Sequence, residues 1–304
     1  MFPGRFYTSH STDSNNKYDE IRNTTCCPCI IISIAGPYIS FGGAILADVF
    51  STEAFTDYIY LGGQPFANNR IKMLSRIFAA VADAVLTLKL YYRNLRLSQT
   101  PVLTRLFPNP TFSDSHTPDT LPVYTERFDY QGRQPDDFRR SLFLATYNNK
   151  KVVVKFCEQY HGEGHRIVAA AGFAPELFFC EMIQGGVMMV IMEHVNARSA
   201  YYHFKDLNLP PEIVHDVESG LEKLHRVNLV FGDLRRPNVL IVESEERLKG
   251  LLIDFDWVGL EDETWYPPLL NDSGEILWAD GVRPHVPMKK SHDLEMVTLL
   301  KRRS

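Results

Sequence analysis

Three oxygen-bearing side chains and one amine stand out in the C-terminal half of the chain. Asp233 and Asn238 lie five positions apart in the segment LVFGDLRRPNVL, and Asp254 follows an apolar run in LLIDFDWVG. A carboxylate can accept the hydrogen bond of a hydroxyl group, and carboxylate and amide oxygens are the ligands that hard divalent cations take. Lys155 ends the strand-like run KVVVK. A lone lysine in that place ordinarily lays its stem on apolar neighbours and carries its ammonium into water. Each match alone is ordinary, since an isolated Asp-x-x-x-x-Asn is most often a solvated turn. Their order along the chain is what carries information.

The surrounding elements must position these groups. PEIVHDVESGLEKLHR, from Pro211 to Arg226, is amphipathic, with Ile213, Val214, Val217, Leu221 and Leu224 on one stripe, and it leads directly to Asp233. A hairpin of Val and Leu fills the space between Asn238 and Asp254. Upstream, VYTERFDYQ, SLFLATYN and KVVVKF read as strands, the last two joined at Asn148-Asn149, a hairpin signal. VMMVIMEHV, from Val187 to Val195, reads as a buried strand.

The N-terminal third has a different texture. Residues 1–25 are polar and read as a disordered tail, without the apolar stretch of a secretory signal. Residues 26–97 form a strand-plus-long-helix region of unassigned role. Its uncharged run from Cys29 to Ala47 is divided by Gly36, Pro37, Gly42 and Gly43 into two strands and a turn rather than one membrane span. A helix runs from about Asn68 to Leu97, with Leu74, Ile77, Phe78, Val81, Val85 and Leu88 on its apolar stripe. Residues 98–120 read as a proline-rich linker ahead of a domain spanning 121–304. The cluster Cys26, Cys27 and Cys29 lacks a second pair or nearby histidines and reads as small buried residues at a strand start. The five cysteines, an odd count, point to a reducing, intracellular and cytoplasmic setting. A net charge of -5 argues against nucleic acid as a partner, the closing Lys301-Arg302-Arg303 notwithstanding.

The segments around Asp233 and Asp254, with KVVVK ahead of them, resemble the protein-kinase superfamily over residues 121–304. Together with IAGPYISFGGAILADVF, YHGEGHRIVAAAGFAPEL and VFGDLRRPNVLIV, they are similar to kinase-like proteins abundant in fungi. The resemblance implies an α+β, two-lobed protein-kinase-like fold, with an N-lobe at about 121–192 and a minimal C-lobe at about 196–304. It implies ATP and Mg²⁺ as cofactors and a hydroxyl acceptor on a protein or a small molecule, with no membrane partner. Asp233 would orient the acceptor hydroxyl, Asn238 and Asp254 would hold metal, and Lys155 would grip the α- and β-phosphates. Glu163 would be the ion-pair partner of Lys155, with Glu158 the runner-up. Met192 would guard the back of the adenine pocket, and the main chain of Glu193 and Val195 would bind the adenine edge. Asp293 would tie down the catalytic loop from behind.

The chain also departs from that family. Gly132 stands alone in DYQGRQPDDFRR where three spaced glycines are usual, Gly232 replaces the arginine before the catalytic aspartate, and Asp256 replaces the glycine of DFG. The second change removes control through activation-loop phosphorylation, and the third is nearer to choline-type kinases. Protein kinase activity on Ser/Thr hydroxyls is the leading expectation. The alternatives are a pseudokinase interaction module and a small-molecule kinase of choline or aminoglycoside type.

Overall fold

The structure, a computed structural model, describes residues 16–47, 50–62, 67–112, 118, 120–128, 141–205, 207–243, 247–271, 274 and 276–301. Most of the expected tail (1–15), the stretch containing Gly132, and Arg302-Arg303 lie outside the described residues. The chain divides into two compact units, Met1–Pro108 and Asn109–Ser304.

In the first unit, helix α1 (Asn16–Thr24) precedes strands β1 (Cys29–Ala35), β2 (Tyr38–Leu46), β3 (Phe50–Ala54) and β4 (Ile59–Tyr60), followed by the long helix α2 (Ala67–Asn94). Helix α1 forms inside the stretch expected to be a tail. It is held by polar contacts: the Ser98 N–H donates to Thr24 Oγ1, and the Val102 N–H donates to the Asn23 carbonyl. The apolar run 29–47 is an antiparallel hairpin whose loop is Gly36-Pro37, with Ala35 opposite Tyr38 and Gly36 at φ 57°. Its strand β2 supplies buried Ile39 and Phe41, which pack with Ile59 against Leu74, Ile77 and Val81 of α2. The helix stripe faces inward as its periodicity requires, except that Phe78 is largely exposed and meets Phe41 only edge-on. Among the described residues, no helix is long and apolar enough to cross a membrane.

The second unit contains β5 (Val123–Arg127), β6 (Ser141–Tyr147), β7 (Lys150–Cys157), α3 (Gly162–Ala170), β8 (Leu177–Ile183) and β9 (Val187–Glu193). It continues with β10 (Arg198–Ser199), α4 (Ala200–His203), α5 (Pro211–Arg226), β11 (Leu229–Val230), β12 (Val239–Glu243), β13 (Leu248–Leu252), β14 (Gly259–Leu260) and α6 (Lys290–Lys301). Five strands form one antiparallel sheet in the order β5-β6-β7-β9-β8. The turn between β6 and β7 places Asn148 and Asn149 at φ 48° and 61°, the left-handed pair that a two-residue hairpin favours and that asparagine tolerates.

Alternation along β7 gives its two faces different tasks. Val152 and Val154 bury against Ala145, Tyr147, Met189 and Ile191, while Val153 joins Leu142, Leu144 and Met192 in the larger core. Lys155 has the same parity as Val153 and therefore points to that second face. Beyond the sheet, α5 buries Ile213, Val214, Val217, Leu221 and Leu224, the stripe expected from sequence and within the expected bounds. It packs against β13 and α3 and supports the β12–β13 hairpin.

Candidate active site

The β12–β13 hairpin brings two of the oxygen-bearing residues together. Val239 lies opposite Leu252, so the residue entering β12, Asn238, adjoins the residues leaving β13. The Ile253 N–H donates to the Asn238 carbonyl at 3.0 Å, which fixes Asn238 beside the start of the Asp254 turn. Asp254 itself adopts φ 73°.

Asp233 and Asn238 are joined directly. Asn238 Nδ2 donates to both the Asp233 main-chain carbonyl and Asp233 Oδ2, each at 2.8 Å. That use of the amide leaves Asn238 Oδ1 as a buried acceptor without a hydrogen-bond partner. A buried orphan acceptor is costly unless something fills its place, and a divalent cation is one such filler. Among the described residues there is no cluster of three or more His, Cys, Asp or Glu able to hold a metal. Magnesium does not require one, because it usually takes one or two protein oxygens and completes its shell with phosphate and water. The residues present fit that cation.

Asp233 is buried, and Arg235 from its own loop grips it with Nε at 2.5 Å from Oδ1 and Nη2 at 2.6 Å from Oδ2. Burial raises the Asp233 carboxyl above its usual range, and the Arg235 guanidinium opposes that rise. The guanidinium also lies over the ring of Trp278, which stacks on Trp257. The loop is anchored from behind by Asp293 on α6, which is 1% exposed. Its Oδ2 accepts from the Phe231 N–H at 2.8 Å and from His225 Nε2 at 2.9 Å, and its Oδ1 accepts from the Gly232 N–H at 3.0 Å. Gly232 sits at φ 79° with Met288 Sδ 2.9 Å from where a Cβ would stand. The loop therefore needs glycine where an arginine is common in the resembled family.

Lys155 Nζ lies 2.5 Å from Asp254 Oδ1 and 2.5 Å from Asp256 Oδ1. Burial alone would lower its pKa, but Asp254 and then Asp256 hold it above the ordinary lysine range. Burial and the adjacent Asp254 charge push Asp256 up to about 7. The ring of Tyr160 covers the ammonium at 5.3 Å from its centroid. Glu163 is not brought to Lys155: its side chain is 73% exposed and pairs with Arg166 one turn along α3, and Glu158 is exposed as well. Glu163 falls in the first turn of a helix whose inward face is set by His165 and Val168, so its carboxylate points outward.

His165 is fully buried. Its Nε2 lies 2.8 Å from the Pro175 carbonyl, its Nδ1 lies 2.8 Å from the Tyr160 hydroxyl, and its ring stacks on Phe255 at 4.5 Å. Nε2 must carry the proton to satisfy the carbonyl, so Nδ1 accepts from the tyrosine. Burial lowers the His165 pKa to about 4. Phe255 in turn meets Phe231 edge-on at 5.5 Å, so one aromatic column links α3, the Asp254 turn and the Asp233 loop.

A single cleft collects residues from across the second unit. Lys155, Met192, Glu193, Val195 and Asp254 line it, with Leu142, Val153 and Leu240 among its apolar walls. Register explains the grouping: Leu142 lies opposite Lys155 across β6–β7, and Met192 lies opposite Val153 across β7–β9. Past β9, the His194 N–H donates to the Lys151 carbonyl and the Ala197 N–H donates to the Val195 carbonyl. The sequence pattern missed Arg235, Tyr160 and His165, and it marked Asp256 only as a change from the DFG glycine, without a role.

No family model matches the chain, and no curated protein matches it by sequence. Among solved structures, one similar chain is the kinase PK-1 of Cydia pomonella granulovirus. The two are 18% identical with a TM-score of 0.44, over 59% of this chain and 66% of that chain. At that level the likeness transfers no residue role.

Proposed function

We propose that the chain is an ATP- and Mg²⁺-dependent phosphotransferase, with residues 121–304 forming a two-lobed, protein-kinase-like domain that acts on Ser/Thr hydroxyls. The observation that carries the reading is the shared cleft: an amine at a strand end, a carboxylate after a distant hairpin, and the main chain past β9 line one apolar-walled space. In this reading Met192 closes the back of the adenine site, and the main chain of Glu193 and Val195 binds the base edge. Lys155 grips the α- and β-phosphates.

Asn238 Oδ1 and Asp254 would hold Mg²⁺, which when bound neutralises charge on the phosphate oxygens. Asp233 accepts the hydrogen bond of the acceptor hydroxyl and orients it, and Asn238 Nδ2 and Arg235 fix that carboxylate in place. Asp293 holds the loop backbone from behind. Such a site works by positioning and charge compensation, because phosphoryl transfer leaves little covalent work to side chains.

The test is incubation of the purified chain with labelled ATP and candidate protein and small-molecule acceptors, comparing wild type with Asp233→Ala. The expected result is Mg²⁺-dependent transfer that Asp233→Ala slows by about 10²–10⁴-fold, or roughly 3–5 kcal/mol of barrier. Transfer of equal rate in both proteins would remove Asp233 from the mechanism. Absence of transfer to any acceptor would favour a binding module.

A further inference from the structure

We infer that Asp256, and not a glutamate on helix α3, is the counter-ion that positions Lys155, so that the lysine and the metal-holding Asp254 are set by one turn. What Lys155 grips rests on the phosphotransferase reading above. What holds Lys155 rests on geometry alone.

Helix α3 has one acidic residue, Glu163, and its carboxylate is committed to Arg166 at the surface. The lysine side chain is 8% exposed, and among the described residues its carboxylate partners are Asp254 and Asp256. A buried ammonium requires a counter-ion that stays with it. Asp254 alone cannot serve if it also binds a divalent cation, because the cation competes for the same carboxylate. Asp256 removes the conflict: its Oδ1 lies at the same 2.5 Å from Nζ, so the ammonium keeps a partner when Asp254 turns to metal.

The turn is braced for this task. Phe255, between the two aspartates, is completely buried in the stack with His165 and Phe231. The Phe255 carbonyl also accepts from the His161 N–H at 3.1 Å. Helix α3 therefore supports the site through His161 at its N-cap, through His165, and through the neighbouring Tyr160, whose ring covers the ammonium. Rotating the outer face of α3 breaks no ion pair of Lys155.

The pair can be read without nucleotide. Competitive acetylation of the full chain, followed by mass spectrometry of the Lys155 peptide across pH, reports how firmly the amine is held in its carboxylate contacts. Asp256→Asn removes one of the two carboxylates that hold the amine, so it should raise Lys155 acetylation at least about tenfold. Asp256→Glu should return it toward wild type, and Glu163→Gln should leave it on the wild-type curve. Tryptophan emission establishes that each variant is folded. A wild-type profile in Asp256→Asn, or a shifted one in Glu163→Gln, overturns the inference.

A second arm measures binding of a fluorescent ATP analogue with Mg²⁺. Asp256→Asn should weaken it about tenfold or more, as loss of a supporting partner does at metal sites, and Glu163→Gln should not. Failure of the wild type to bind nucleotide, with the acetylation results as expected, would refute the phosphotransferase reading and leave the counter-ion assignment standing.

Discussion

Asp293 should be among the most sensitive positions of the second unit. Replacing it by alanine strands three donors: the Phe231 and Gly232 N–H groups and His225 Nε2. Phe231 and Gly232 are buried, so water cannot take over their hydrogen bonds. Each buried donor left without a partner costs about 1–3 kcal/mol, so the two amides alone account for roughly 2–6 kcal/mol. A domain of this kind has only about 5–15 kcal/mol to lose. Asp293→Asn keeps the shape, and its amide oxygen can accept one N–H while its NH₂ faces the other, so it should cost about half as much. Trp257, Trp265 and Trp278 are the chain's only tryptophans and all lie in Asn109–Ser304, so urea denaturation followed by tryptophan emission reads this unit. The midpoint should fall strongly for Asp293→Ala and by an intermediate amount for Asp293→Asn, with little change in slope. A loss below about 1 kcal/mol for Asp293→Ala would refute the claim that these hydrogen bonds hold the loop.

Stability should also depend on pH through His165, whose folded pKa of about 4 lies below the ordinary value of 6.5. Between those values the unfolded chain binds the extra proton, so stability is intact above about pH 6.5 and falls on acidification by about 3 kcal/mol as pH approaches 4. His165→Gln should flatten this part of the urea-midpoint profile, and an unchanged slope would contradict the assignment. Gly232→Ala should destabilise by about 1–2 kcal/mol from the left-handed backbone alone, and more if Met288 cannot yield; a neutral result in the same urea assay would count against the loop geometry. Burial and the charge of Asp256 push the Cys157 thiol up to about 12. Its alkylation by iodoacetamide at pH 8 should therefore run about 10³-fold slower than in urea, where the thiol is ordinary. Equal rates would show the thiol to be open.

The legible parts of the fold are those written in local pattern. The α5 stripe, the Asn148-Asn149 hairpin and the alternation of KVVVK follow from side-chain spacing, and register then carries Lys155 to the cleft with Met192. The Asn238–Asp254 juxtaposition was legible too, because a hairpin returns the chain to its starting point. Spacing does not reveal the phase of a helix about its axis. Glu163 precedes the turn at Gly172-Phe173-Ala174-Pro175 by a family-like distance, which made it the expected partner of Lys155, but the packing of His165 and Val168 turns it to the surface. Asp256 could be read only as a departure from a motif, since its partner lies 101 positions away. Helix α1 was hidden because a polar segment without apolar periodicity is ordered by hydrogen bonds to residues 98 and 102.

Calorimetric titration of ATP into the full chain decides whether Lys155, Asp254 and the main chain past β9 form one nucleotide site. Binding should require Mg²⁺ and be lost in both Lys155→Ala and Asp254→Asn, with the two variants still folded. No heat of binding in the wild type at millimolar Mg·ATP, or binding that survives both substitutions, would contradict that single site.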